Sequence, residues 1–262
     1  MRRILCLSIV SFIPLSLFSQ NYFDASYTNS SQDFSNYSLS YMRILSTKTA
    51  VGIAYIRYGD KDVSSLSRLL FSYFSKGFSL SLSPFYFFPK DGFNFYGAKA
   101  SFDIIRYGDE TVSTYSFYSS YGNEKNSFID KTIFLGFSFE RNYYDEFFIM
   151  LHSGIGVEGE GKAGFFNKNI LFDSSFLGFI NILPYSVLGF SFVRSFKPDF
   201  NSYLYIWFDR INSKSNINSY ILGLKTYLDD SQNYYADVSF NFADHKSISN
   251  EKIWKISVGG SF

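Results

Sequence analysis

Two histidines, one cysteine and scattered carboxylates are the residues of this chain that could do chemistry. His152 and His245 lie far apart and neither has the HExxH spacing that places two imidazoles on one metal ion. Asp244-His245, with Ser247 and Ser249 close by, has the composition of a hydrolase or acyltransferase site in which an aspartate orients a histidine base. The same residues also suit a polar loop. Asp145-Glu146, after Tyr143-Tyr144, could ligate a cation but fits a solvated turn between two strands. Cys6 lies in an apolar leader, so a mature chain without it has no disulfide and no thiolate metal site. No metal, cofactor or catalytic residue is assigned on this basis.

A second set of charges recurs at alternate positions. Lys99, Asp103, Asp130, Glu140, Glu158, Asp173, Lys225 and Asp237 each fall on the polar face of a segment whose other face is oily. Acids outnumber bases in this set. If that face lines an interior, the charges must pair or touch water. Paired, they are salt bridges that hold a shape; hydrated, they are a mildly cation-preferring path. His152 falls on the same face and reads as a hydrogen-bonded interior residue.

The elements that carry these charges are strands. Phe78, Leu80, Leu82, Pro84, Tyr86 and Phe88 share one face, against Ser79, Ser81 and Ser83. Tyr96, Ala98, Ala100, Phe102 and Ile104 oppose Lys99, Ser101 and Asp103, and Pro89-Lys90-Asp91-Gly92 marks the turn between the two segments. The same pattern covers 129–140, 147–157, 234–242 and 254–262, with Met150 among the single exceptions. Further segments are 22–29, 34–45, 49–58, 64–74, 111–121, 169–181, 184–196, 201–211 and 217–228. These make an odd number, whereas a bacterial single-chain barrel has an even one. One segment is therefore miscounted. The weakest are 22–29, which reads as a possible lead-in before the sheet, and 169–196. The expectation is an all-β, transmembrane, antiparallel up-and-down barrel of about fourteen strands, with twelve or sixteen as alternatives. Counting back from the C-terminus puts Asp244 to Asn250 outside the cell. It also puts Gly159 to Lys168, the longest connection, on the periplasmic side, where turns should be short. That clash points to 169–196 as the place of the miscount.

Bulk composition favours a membrane wall over a soluble sandwich. Aromatics make up 22% of the chain, with 33 Phe and 22 Tyr but only 2 Trp. A lipid-facing wall with interfacial girdles accommodates such a load. The second face is mostly Ser, Gly, Asn and Thr, whereas a soluble sheet would present Lys and Glu there. Met-Arg-Arg, then the apolar run Ile4 to Phe18, then Ser19-Gln20, reads as a signal peptide over 1–19, shorter than the roughly 20 residues of a membrane helix. The barrel domain is then 20–262. The chain has 24 Lys+Arg and 23 Asp+Glu, so losing Arg2 and Arg3 leaves a slight acid excess and no argument for nucleic acid.

With its signal, its alternating strands and a last residue Phe262, the chain resembles bacterial outer-membrane β-barrel proteins. In that family the closing strand is the assembly signal, which falls here on Trp254, Ile256, Val258 and Phe262, with Gly260 standing where an aromatic is common. Tyr37-Ser38-Leu39-Ser40-Tyr41-Met42-Arg43, Ile56-Arg57-Tyr58-Gly59-Asp60 and Phe87-Phe88-Pro89-Lys90 resemble YaiO-like barrels. The resemblance implies an integral protein of the cell outer membrane, with outer-membrane lipid and the barrel-assembly machinery as partners. Three functions stay open: a small pore or transport component for solutes or ions, a structural or surface-exposed protein with a filled lumen, and a rim hydrolase or acyltransferase using His245.

Overall fold

The computed structural model describes residues 21–31, 35–58, 63–89, 94–125, 131–143, 147–158, 186–196, 202–212, 217–229, 231, 233–245 and 250–262. Among them run fourteen strands. The first seven are β1 (Asn21–Ser30), β2 (Ser35–Ser46), β3 (Thr49–Tyr58), β4 (Val63–Ser75), β5 (Phe78–Pro89), β6 (Asn94–Tyr107) and β7 (Thr111–Lys125). The rest are β8 (Lys131–Tyr143), β9 (Phe147–Glu158), β10 (Ser186–Phe196), β11 (Ser202–Asn212), β12 (Ile217–Tyr227), β13 (Tyr234–His245) and β14 (Glu251–Ser261). Each pairs antiparallel with its sequence neighbours, and β1 pairs with β14 to close the barrel.

Closure is complete at the seam. The Asn21 amide donates to the Phe262 carbonyl at 3.1 Å, and the Phe262 amide donates back to Asn21 at 3.0 Å. With its first and last strands paired, the sheet leaves no open edge among the described strands, as lipid demands of a spanning sheet. Asn21 and Phe262 therefore share one end of the barrel. That end also carries the tight turns Thr47-Lys48 and Lys76-Gly77. Gly77 has φ of 87°, a left-handed conformation that only glycine adopts at no steric cost.

The side chains sort by alternation. On β12, Tyr220, Leu222 and Leu224 are exposed while Ser219, Ile221 and Lys225 are buried; on β14, Trp254, Ile256 and Val258 are exposed while Ile253, Lys255 and Ser257 are buried. The oily face is thus the outside. Rings meet across strands there, as in Phe117–Phe137 (5.2 Å between centroids) and Tyr27–Trp254 (5.3 Å). In water such a belt would be a very large apolar patch; in a bilayer it is the lipid-facing wall.

Three expectations change. Residues 22–29 are no lead-in: they lie within β1, paired to β2 and β14 along their whole length. Segment 169–181 lies outside the described residues, and β9 pairs directly with β10, so the ladder has no place between them for another strand. That removes the odd count. It also puts the last residue of β9, Glu158, at the end away from the termini, the end at which β13 stops, because one strand too many inverts every assignment before it. Met150 stays the exception that the alternation marks, an apolar side chain buried at an inward position of β9.

A cysteine placed at Asn250, exposed at the end away from the termini, will be labelled by an impermeant maleimide on intact cells, and one at Lys48 only after the envelope is opened. Equal labelling of both would overturn this orientation. Cys6, the one native cysteine, lies in the expected leader, so the background is clean.

Candidate functional site: the charged interior wall

Small polar residues let the inner wall close up. Ser79 Oγ donates to Asp103 Oδ2 at 2.6 Å, Ser81 and Ser101 share a bond of 2.6 Å, and Ser219 Oγ donates to Asn241 Oδ1 at 2.9 Å. Each links neighbouring strands. Near one end Ser30 Oγ donates to Glu251, joining β1 to β14.

Between these serines lies a repeated arrangement of tyrosine over glycine. Tyr205 on β11 is opposite Gly223 on β12, Tyr235 on β13 is opposite Gly259 on β14, and Tyr118 on β7 is opposite Gly136 on β8. A Cβ on any of these glycines would sit 2.0 to 2.5 Å from the ring of its tyrosine. Each ring therefore lies flat across the adjacent strand, and its hydroxyl reaches the strand after that. Tyr205 donates to Asp237 on β13 (2.8 Å), Tyr235 to Asp24 on β1 (2.6 Å), and Tyr118 to the Ser153 carbonyl on β9 (3.3 Å). Rings held this way lie along the inner wall.

Two of the three converge on a cluster at the closing seam. Lys225 is directly opposite Asp237, Asp237 is opposite Ser257, two residues along β14 from Lys255, and Asp24 is opposite Gly259 on the same strand. The Lys225 ammonium stands 3.8 Å from the Tyr235 ring centroid and 5.2 Å from that of Tyr227. Tyr203 packs edge-on against Tyr227, which packs likewise on Tyr235. Two acids and two bases thus stand among tyrosines on β12, β13, β14 and β1, a balanced arrangement that reduces the cost of holding charge off bulk water.

The sequence-derived charges fall as follows. Asp103, Glu140 and Lys225 are buried on the inward face; Asp237 and Lys99 are half-buried on it. Glu158 ends β9, and its side chain, like Asp130 and Asp173, lies outside the described residues. Sequence reasoning passed over Asp24, Arg68, Asp209, Glu251 and Lys255. Asp24 was lost by doubting β1, although its alternation with Ser26 and Thr28 was there to read; Lys255 opposes Ile256 in the same way. Asp209 accepts from Trp207 Nε1 at 2.8 Å. Asp244 and His245 end β13; the His245 side chain, Ser247 and Ser249 lie outside the described residues.

Several solved structures share this architecture. OprD from Pseudomonas aeruginosa superposes with a TM-score of 0.56 at 7% identity, covering 93% of each chain. This is the fold of an outer-membrane β-barrel. CymD, described as a monoaromatic hydrocarbon channel, superposes with a TM-score of 0.55 at 10% identity, covering 93% of this chain and 88% of its own. Acinetobacter baumannii OccAB4 does so with 0.53 at 7% identity, covering 93% and 97%. No known family description and no curated protein matches the sequence. The comparisons thus reach the outer-membrane barrel through fold, and the short motifs that resemble YaiO-like barrels gain no support from these matches.

The same fold accounts for Gly260. It lies outward on β14, opposite Tyr234 and Phe23. A Cβ there would meet the Tyr234 ring at 2.4 Å and the Asn233 carbonyl at 2.8 Å. Tyr234 fills the space that an aromatic at 260 would take, with Phe23 between it and Phe262.

Proposed function

We propose that this chain is an integral barrel of the cell outer membrane that works as a small pore or transport component for polar solutes or ions. The observation that carries this reading is the reversal of ordinary burial: an apolar exterior encloses a wall of serines and charges, Asp24, Asp103, Glu140, Asp209 and Asp237 among them. A hydrated path along such a wall offers carboxylates in place of an ion's water shell and favours cations. Lys225 and Lys255 then offer anionic groups a second contact at the seam. OprD and CymD share the fold, which supports the channel reading without naming a solute. The barrel-assembly machinery is the proposed route of insertion, acting on the strand that ends with Trp254, Ile256, Val258 and Phe262.

The test is conductance in planar bilayers. Refolded protein is expected to conduct, and Asp237→Lys is expected to lower the cation-over-anion permeability ratio several-fold. No conductance from protein that migrates as a folded barrel would exclude the pore. One observation favours a second reading, a structural barrel with a filled lumen: Thr28, Asn36, Asp209, Ser219 and Asn241 face inward yet are 0% exposed. That reading expects surface labelling of the 244–250 region with little or no conductance, and large stable conductance rules it out. The rim-enzyme reading has its own test: His245→Ala must abolish any lipid or peptide hydrolysis.

A further inference from the structure

The outer wall carries a row of cations that neither conduction nor a filled lumen requires. Arg106 on β6, Ser113 on β7 and Arg141 on β8 stand in direct cross-strand register. Both arginines are exposed, and by alternation they share the outward faces of Phe102 and Phe137. With neighbouring strands about 4.8 Å apart, the two arginine backbones are about 10 Å apart with the serine between them. Two side chains of that length can reach a single group above Ser113.

The depth of the row is set by its neighbours. Toward the barrel middle the next outward rung is Ile104, Tyr115 and Phe139, followed by Phe102, Phe117 and Phe137. At about 3.3 Å per residue and a strand tilt near 40°, the arginines lie about 10 Å beyond the phenylalanine rung, toward the end that bears the termini. β6 ends one residue later, at Tyr107, so the row stands at the rim of the wall, where lipid headgroups begin. The guanidiniums rest on rings: Arg106 stands 5.6 Å from the Tyr115 centroid and Arg141 5.3 Å from that of Tyr143. Lys76, exposed in the β4–β5 turn, stands at the same end of the neighbouring strand, where the Gly77 carbonyl accepts from the Ile105 amide at 2.7 Å. Asp109 and Glu110 occupy the β6–β7 turn beyond the row, on the water side. At the opposite end, Arg57 faces Tyr37 and Ser65, Arg210 faces Leu188 and Asn218, and Lys252 faces Phe242. Among the described residues no second cation joins any of these in cross-strand register.

We propose that Arg106, Ser113 and Arg141 bind the phosphodiester of an anionic glycerophospholipid in the leaflet nearest the termini. Two planar guanidinium forks match phosphate oxygens bidentately, and the serine hydroxyl donates a further bond. An anionic headgroup is selected because the three cations Arg106, Arg141 and Lys76 outnumber the two acids Asp109 and Glu110 in the turn beyond, so the net local charge is positive. The site rests on the barrel lying in a membrane and is independent of conduction.

The experiment uses the folded full-length barrel, delipidated, then incubated with phosphatidylglycerol, phosphatidylethanolamine or soluble glycerol 3-phosphate, with bound lipid read by native mass spectrometry. Folding is checked by heat-modifiable migration and membrane insertion by flotation with vesicles, so failure of the membrane reading is seen separately. Wild type is expected to retain phosphatidylglycerol about tenfold more tightly than Arg106→Gln/Arg141→Gln. Arg57→Gln should match wild type, and glycerol 3-phosphate should not displace the lipid. Arg106→Lys/Arg141→Lys, which keeps the charge if the glutamine pair fails to fold, should bind several-fold more weakly than wild type because the bidentate geometry is gone. Equal retention by wild type and both double variants, equal retention of phosphatidylethanolamine, or displacement by glycerol 3-phosphate would overturn the assignment.

Discussion

Leu222→Arg is expected to destabilise the folded barrel in lipid vesicles by about 2–4 kcal/mol, the cost of an arginine at the bilayer midplane on a lipid-facing strand. Leu222 is central in β12 and 52% exposed, and its cross-strand neighbours Ile206 and Phe240 are each 45% exposed. Exposure to lipid and exposure to water make opposite predictions here. On a soluble sheet an exposed leucine tolerates arginine within about 0.5 kcal/mol, and a new charge there would help solubility. On this wall the guanidinium must be buried in hydrocarbon or drag water inward. The same strand already carries Lys225, buried on the opposite face, so β12 accepts a cation and only the face decides the cost. The measurement is reversible urea unfolding from vesicles, followed by tryptophan fluorescence. A change within 0.5 kcal/mol would remove the lipid-facing assignment of this belt.

Gly223→Val is the second change with a large expected effect, from inside the wall. Its Cβ would stand 2.0 Å from Tyr205, so the ring must leave the wall or the two strands must part. Overpacking of this kind costs about 1–3 kcal/mol. Displacing the ring also breaks the Tyr205 bond to Asp237, a charge-assisted bond worth about 1.5–3 kcal/mol. Tyr205→Ala should remove most of the valine's penalty, giving a coupling energy well above the roughly 0.5 kcal/mol of independent sites. If valine costs the same with and without the tyrosine ring, the straddling geometry is wrong. The pairs Tyr118–Gly136 and Tyr235–Gly259 should behave alike, since the contact is repeated there.

Much of this barrel is legible one strand at a time. Alternation is a local property of extended backbone, so a period of two assigns Phe240 outward and Ser239 inward without knowledge of any partner strand. That is why Asp103, Glu140, Lys225 and Asp237 could be placed on one face from their own segments. It is also why a missing or extra strand leaves each face intact while inverting which end is which, as happened to the connection after β9. Asp24 shows the limit of this local reading. Its segment alternates, but a first strand earns its place only by pairing with the last, and that pairing is not visible in residues 22–29 themselves.

What the sequence determined alone is therefore the face of each residue, the oily exterior and the polar interior, because these follow from period and composition. What only the tertiary structure decided is which residues meet. Tyr205 crosses Gly223 to reach Asp237, and Tyr235 crosses Gly259 to reach Asp24, because register and closure bring together positions 32 and 211 apart in the chain. Arg106, Ser113 and Arg141 form a row for the same reason. Pairing between strands is a non-local choice, made by the ladder as a whole, and a barrel has no seam cluster until its first and last strands are joined.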